Sequence, residues 1–233
     1  MWGEVKMIRH RFVTSAVVVL AVLCAGAWTV PTKTAASDKA LLKAGVLRAR
    51  DLPGRWRSRS VTLGSGNAFQ GVGGCEEQSA ALDLEQRRAP SPAFYEPETS
   101  SGAITSQASN VARVFKNEAL ADQFLSAYKA ESAAACLHQT NENRLKQRNA
   151  SADITLTEFT PITGLGGIGD DNAGYAAVLN VSTSDQGATT GPLDLVYVRT
   201  GRTVLGFQLG VQGQDVSQVA DIISHPVKRV EKA

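Results

Sequence analysis

The stretch Leu193-Asp194-Leu195-Val196-Tyr197-Val198-Arg199-Thr200-Gly201-Arg202-Thr203-Val204-Leu205-Gly206-Phe207-Gln208-Leu209-Gly210-Val211 decides the fold. Branched and aromatic side chains fill both arms, and Thr200-Gly201-Arg202 between them is a tight-turn sequence. The arms therefore read as two paired strands, Leu193 to Val198 and Val204 to Val211. Upstream, Ala173, Tyr175, Ala177, Leu179 and Val181 recur at alternate positions and share one face of another strand. Ile154 to Phe159 alternates too, through Ile154 and Leu156, then Phe159 after a slip. Consecutive strands with short connections imply antiparallel pairing rather than βαβ units. Downstream, Val216, Val219, Ala220, Ile222 and Ile223 follow helical spacing, in a helix expected to end near His225-Pro226.

The middle of the chain adds mixed elements. Ser37 or Asp38 suits the cap of a short helix through Ala40, Leu41 and Leu42. Leu52-Pro53-Gly54-Arg55-Trp56 reads as a turn followed by a buried aromatic, Gly64 to Gly74 as irregular, and Pro90-Ser91-Pro92 and Pro97 to Gly102 as loop. Glu76 and Glu77 open a helix running toward Arg88. Val111 to Phe115 is a strand, and Asn117 caps a helix that follows Leu120, Phe124, Ala127, Tyr128, Ala134 and Ala135. This helix is expected to deliver Cys136 at its C-terminal end, with Asn141 to Ser151 an exposed polar loop. The fold class is α+β: a central antiparallel sheet with helices packed on one face, and one disulfide.

Lys6, Arg9 and Arg11 precede an apolar run from Phe12 to Trp28, the pattern of a secretory signal or signal anchor. The basic residues stay cytoplasmic, so the chain beyond Val30 is expected to be exported. Ala25-Gly26-Ala27 offers cleavage, retention leaves residues 12–30 as a tether, and Cys24 offers lipidation, although Leu23 is bulky for a lipobox. Residues 1–30 are read as signal peptide or anchor, 31–38 as linker, and 39–233 as one domain of ordinary size. Removing Cys24 leaves Cys75 and Cys136, whose bridge fits an oxidising compartment and closes a loop of about 60 residues, worth roughly 4 kcal/mol.

The net charge of +2 is carried by the N-terminal segment, leaving the exported part near neutral and without a nucleic-acid footprint. Arg48, Arg50, Arg55, Arg57 and Arg59 form a local basic cluster, read as a solvated or membrane-proximal face. Gly164-Leu165-Gly166-Gly167-Ile168-Gly169 matches G-x-G-x-x-G, but a strand follows it where a dinucleotide site needs a helix, so it reads as a turn. Asp170 and Asp171 beside it read as turn residues. His138 and His225 are the histidines of the exported part, and His138 reads as exposed. No nucleophile elbow, zinc-protease motif, C-x-x-C or Walker loop occurs. The reading is therefore a binding module without catalytic residues, metal or cofactor. Asn149-Ala150-Ser151 and Asn180-Val181-Ser182 match the glycosylation sequon.

A family resemblance runs from about Leu41 to Val227. Leu41-Leu42, Asp51-Leu52-Pro53-Gly54-Arg55-Trp56, Cys75, Ala112-Arg113-Val114-Phe115, Asn117-Glu118-Ala119 and the helix leading to Cys136 appear in order. Gly169-Asp170-Asp171 leading into Tyr175 and the hairpin Val198-Arg199-Thr200-Gly201-Arg202-Thr203-Val204 complete the series. Together they resemble the PknH-like extracellular sensor domain family of actinobacterial exported proteins and lipoproteins. The resemblance implies a central antiparallel sheet, a cleft and a ligand-sensing role outside the membrane. This chain leaves no room for a kinase domain and has one candidate disulfide where the kinase's sensor has two. No ligand-contacting residue is carried over. The expected partner is a small-molecule or lipid ligand of the envelope, held by a cleft for which Trp56, Phe69, Tyr175 and Phe207 are candidate lining residues. The alternative partner is another envelope protein, with the membrane engaged through the N-terminal segment if uncleaved.

Overall fold

Alternation within the Leu193–Val211 hairpin sends apolar side chains to both faces of the sheet, and this sets the layering. The computed structural model describes residues 36–61, 67–96, 106–148, 152–183, 187–211, 213 and 215–233. The export segment, Cys24, most of the linker and the sequon at 149–151 lie outside the described residues. Among those described, no helix is long and apolar enough to cross a membrane.

In chain order the elements are α1 (Asp38–Gly45), a 3-10 turn (Ala49–Asp51), β1 (Arg57–Arg59), α2 (Glu76–Leu82), β2 (Arg87–Pro90), β3 (Ala93–Tyr95), β4 (Gln107–Val114), α3 (Glu118–Ala127), α4 (Ala133–Arg148), β5 (Asp153–Leu156), β6 (Thr160–Pro161), β7 (Asp171–Thr183), β8 (Gly187–Thr200), β9 (Thr203–Gly210) and α5 (Val216–Glu231). All these strands join one nine-stranded sheet of order β1-β3-β4-β9-β8-β7-β5, with β2 also on β4 and β6 also on β7. Every pairing is antiparallel.

Helices cover both faces of this sheet, correcting the expectation of one. On one face Ala173, Tyr175, Ala177, Leu193, Leu195 and Val204 pack with Phe115, Phe124, Leu125, Tyr128, Cys136 and Leu137 of α3, α4 and their flanks. On the other, Ala112, Val196, Val198, Leu205, Phe207 and Leu209 pack with Leu41 of α1 and Val219, Ile222, Ile223, Val227 and Val230 of α5. The reason is visible in β8, whose run Leu193, Leu195, Val196 and Val198 is buried whichever way each side chain points. A half-solvated strand would alternate with polar residues instead.

Element boundaries also differ from expectation: α2 stops at Leu82, and Arg88 lies in β2 instead of extending that helix. The helix after Asn117 stops at Ala127, so Cys136 sits near the start of α4. No Gly or Pro marks this break. Tertiary donors take the last carbonyls instead: Gln78 Nε2 donates to Ala127 O at 2.7 Å and the Tyr175 hydroxyl to Tyr128 O at 2.6 Å. Residues Asn141 to Arg148 continue α4 rather than looping out. Glu142 pairs with both His138 and Lys146 at i,i+4 spacing, supporting the helix where its apolar stripe is thin. His138 is thus half-buried, with Nε2 2.8 Å from Leu156 O. Finally, α5 runs through Pro226 to Glu231. Buried Val227 and Val230 and the anchored Arg229 outweigh the missing proline N–H.

Two clamps fix α1 and α5 on their face. Asn110, 3% exposed on β4, accepts from Leu47 N and donates to Gly45 O, both at 2.8 Å. Arg229 makes a bidentate pair with buried Asp51 at 2.7 and 2.9 Å and donates to Ala44 O and Val46 O. On the opposite face Cys75 and Cys136 are bonded, tying the start of α2 to α4. The glycine-rich motif is a turn, as read: Gly164, Gly167 and Gly169 all have positive φ, and strand β7 follows. Asp170 closes the neighbouring hairpin by accepting from Gly201 N at 2.6 Å.

Candidate functional site

The four aromatic candidates do not share one surface. Phe69, 7% exposed, packs edge-on to Tyr128, and Tyr175, 6% exposed, spends its hydroxyl on Tyr128 O, both within the α2–α4 layer. Phe207, 2% exposed, belongs to the α1–α5 layer. Trp56 is half-buried against that same layer, its indole N–H donating to Pro53 O. The sheet separates the first pair from the second. Tyr175 carries a phenol whose pKa burial pushes up, and the same cause pushes the neighbouring Tyr197 up to about 12. These are the properties of packed core aromatics.

The residue with the properties of a site is Asp194. It interrupts the most apolar strand of the sheet, between Leu193 and Leu195, and points to the α1–α5 face. Register fixes its neighbours: Thr160, Ala176, Asp194, Leu209, Ala108 and Phe94 form one row across β6, β7, β8, β9, β4 and β3. Leu209, Ala108 and Phe94 are in the core, whereas Ala176 and Asp194 are half-buried and Thr160 is exposed. Two residues along from Ala176 on this face stands Val178, 44% exposed and paired with half-buried Pro192. The row thus passes from closed core to an open apolar margin, with a carboxylate at the boundary.

That carboxylate has no hydrogen-bond or ion-pair partner among the described residues. Five other acidic groups drawn into the fold are matched by cations: Asp51 by Arg229, Asp38 by Arg202, Glu85 by Arg113 and Arg88, Glu142 by Lys146, and Asp171 by Lys129. Loss of water raises the Asp194 pKa from 3.8 to about 6, with burial as the sole cause. An ionised carboxylate left unpaired at an apolar boundary costs stability and is a common mark of a binding position. The sequence carried a signal for it, a lone charge within a strand buried on both faces. The arginine cluster is a separate feature: Arg50, Arg55, Arg57 and Arg59 are exposed, the last two on edge strand β1.

The class this architecture defines is an α+β domain, with a nine-stranded antiparallel sheet between two helical layers and a disulfide across one of them. No family model and no curated protein matches the chain. Among solved structures it is similar to the crystal structure of the extracellular domain of PknH from Mycobacterium tuberculosis, at 10% identity and a TM-score of 0.44, covering 85% of this chain and 98% of that one.

Proposed function

We propose that this chain is an exported, non-enzymatic binding domain of the cell envelope, sensor-like in form, that holds a small or amphipathic ligand. The observation that carries this reading is the unpaired Asp194 carboxylate beside the apolar margin of Ala176, Val178 and Pro192. A bound molecule would return to that carboxylate the partner the chain withholds, while covering exposed Val178. The Cys75–Cys136 bridge supports the exported setting, since such bonds persist in oxidising compartments. The segment at residues 12–30 would deliver the domain there, cleaved or retained as a tether.

Native mass spectrometry of the chain recovered from the extracytoplasmic fraction of its host or a close relative tests this. A copurifying metabolite or lipid that is lost from an Asp194→Asn variant supports the reading. Preparations that remain empty and bind no component of an envelope extract overturn it. A second reading, an envelope protein-interaction module, is favoured by β1, which among the described strands pairs only with β3 and exposes all three of its residues. Such an edge can accept an extended segment from another chain.

A further inference from the structure

Resting on the ligand-binding reading above, we infer that the ligand held at Asp194 is an organic ammonium ion carrying a short apolar body. The headgroup would sit against the Asp194 carboxylate and the body over Ala176, Val178 and Pro192. Three features of the site select this chemistry. The ionised carboxylate is an acceptor only, and no cation of the described chain pairs with it, so an incoming positive charge is favoured and an anion is repelled.

A neutral apolar ligand would cover Val178 but would strip more water from a carboxylate it cannot pair. An inorganic cation would need more oxygen ligands than the site supplies. No group of three or more potential metal-ligating side chains is found among the described residues. The nearest hydroxyl in the row, that of Thr160, already donates to Ala176 O at 3.3 Å. An ammonium on a short hydrocarbon meets both requirements at once, the charge at the half-buried boundary of the row and the hydrocarbon at the exposed margin.

The test uses hexylammonium, 1-hexanol and hexanoate, which share a chain length and differ in headgroup charge. Each is titrated into the chain recovered from the extracytoplasmic fraction, with backbone amide shifts read by NMR. Hexylammonium is expected to bind saturably, with shifts centred on residues 176–178 and 192–196. Asp194→Asn is expected to weaken it at least tenfold, and Val178→Ser to weaken it severalfold with the carboxylate intact. If hexanol or hexanoate binds these residues as well as the cation does, the ammonium assignment falls and the ligand-binding reading stands. The assignment falls in the same way if Asp194→Asn leaves hexylammonium binding unchanged at this position. If none of the three probes shifts these residues, the ammonium assignment fails, whereas the ligand-binding reading fails only if envelope extract also leaves the domain empty.

Discussion

Replacing Asp194 with asparagine keeps the size of the side chain and removes its charge, and the effect on stability can be worked from the structure. Burial raises the carboxyl from 3.8 to about 6. A rise of that size corresponds to ~3 kcal/mol of differential interaction, which water reaching the half-exposed group reduces to about 1–2 kcal/mol. The sign follows from proton binding. Between pH 4 and 6 the folded state holds the proton more tightly than the unfolded state, so this contribution is fully present below the unfolded value and is lost as pH rises through about 6. Asp194→Asn should therefore be the more stable protein at pH 7.5 by about 1–2 kcal/mol, with the gap closing toward pH 4. Urea unfolding of both proteins across this range gives the difference directly, and other titrating groups cancel in the comparison. A variant no more stable than the parent at pH 7.5, or a gap independent of pH, would refute the desolvation argument.

Other expectations follow from the remaining contacts. Serine at Cys75 and Cys136 should cost about 4 kcal/mol from the reopened loop, seen as a fall in Tm of roughly 10 °C that reductant reproduces in the parent but not in the variant. Arg229→Met strands the buried Asp51 carboxylate and should cost about 3–5 kcal/mol in chemical unfolding; a loss below ~1 kcal/mol would show that Asp51 finds another partner. Asn110→Leu removes both of its hydrogen bonds to the end of α1, leaving Leu47 N and Gly45 O unmatched. It should destabilise by about 2–3 kcal/mol, with amide exchange fastest in α1. In an ultraviolet pH titration, Tyr128, Tyr175 and Tyr197, all raised by burial, should ionise together with unfolding. Smooth ionisation of these three tyrosines in the folded protein near pH 10 would contradict their packing.

Local signals settled a good part of the fold. Alternating residues and the Thr200-Gly201-Arg202 turn specify the meander β7-β8-β9, because a strand's side-chain period and a turn's backbone demands are properties of a few adjacent residues. The caps at Ser37 and Asn117 and the turn reading of the glycine motif were legible for the same reason. The pairing of Cys75 with Cys136 followed from composition and the export segment.

What only the tertiary structure decided depends on partners far apart in the chain. The stop of α3 at Ala127 is made by Gln78 and Tyr175, and the run of α5 past Pro226 by Asp51 and the α1 carbonyls, so neither leaves a local mark. Both helical layers follow from β8 being apolar on two sides, a pattern that one strand alone does not distinguish from alternation with small residues. The same holds for function. Aromaticity suggested Trp56, Phe69, Tyr175 and Phe207, yet the sheet lies between them, and side chains that large are recruited first for packing. Asp194 stood in the opening stretch as a single charge among apolar residues. Only the tertiary structure showed that no cation of the described residues pairs with it, because pairing is decided by space and not by sequence distance.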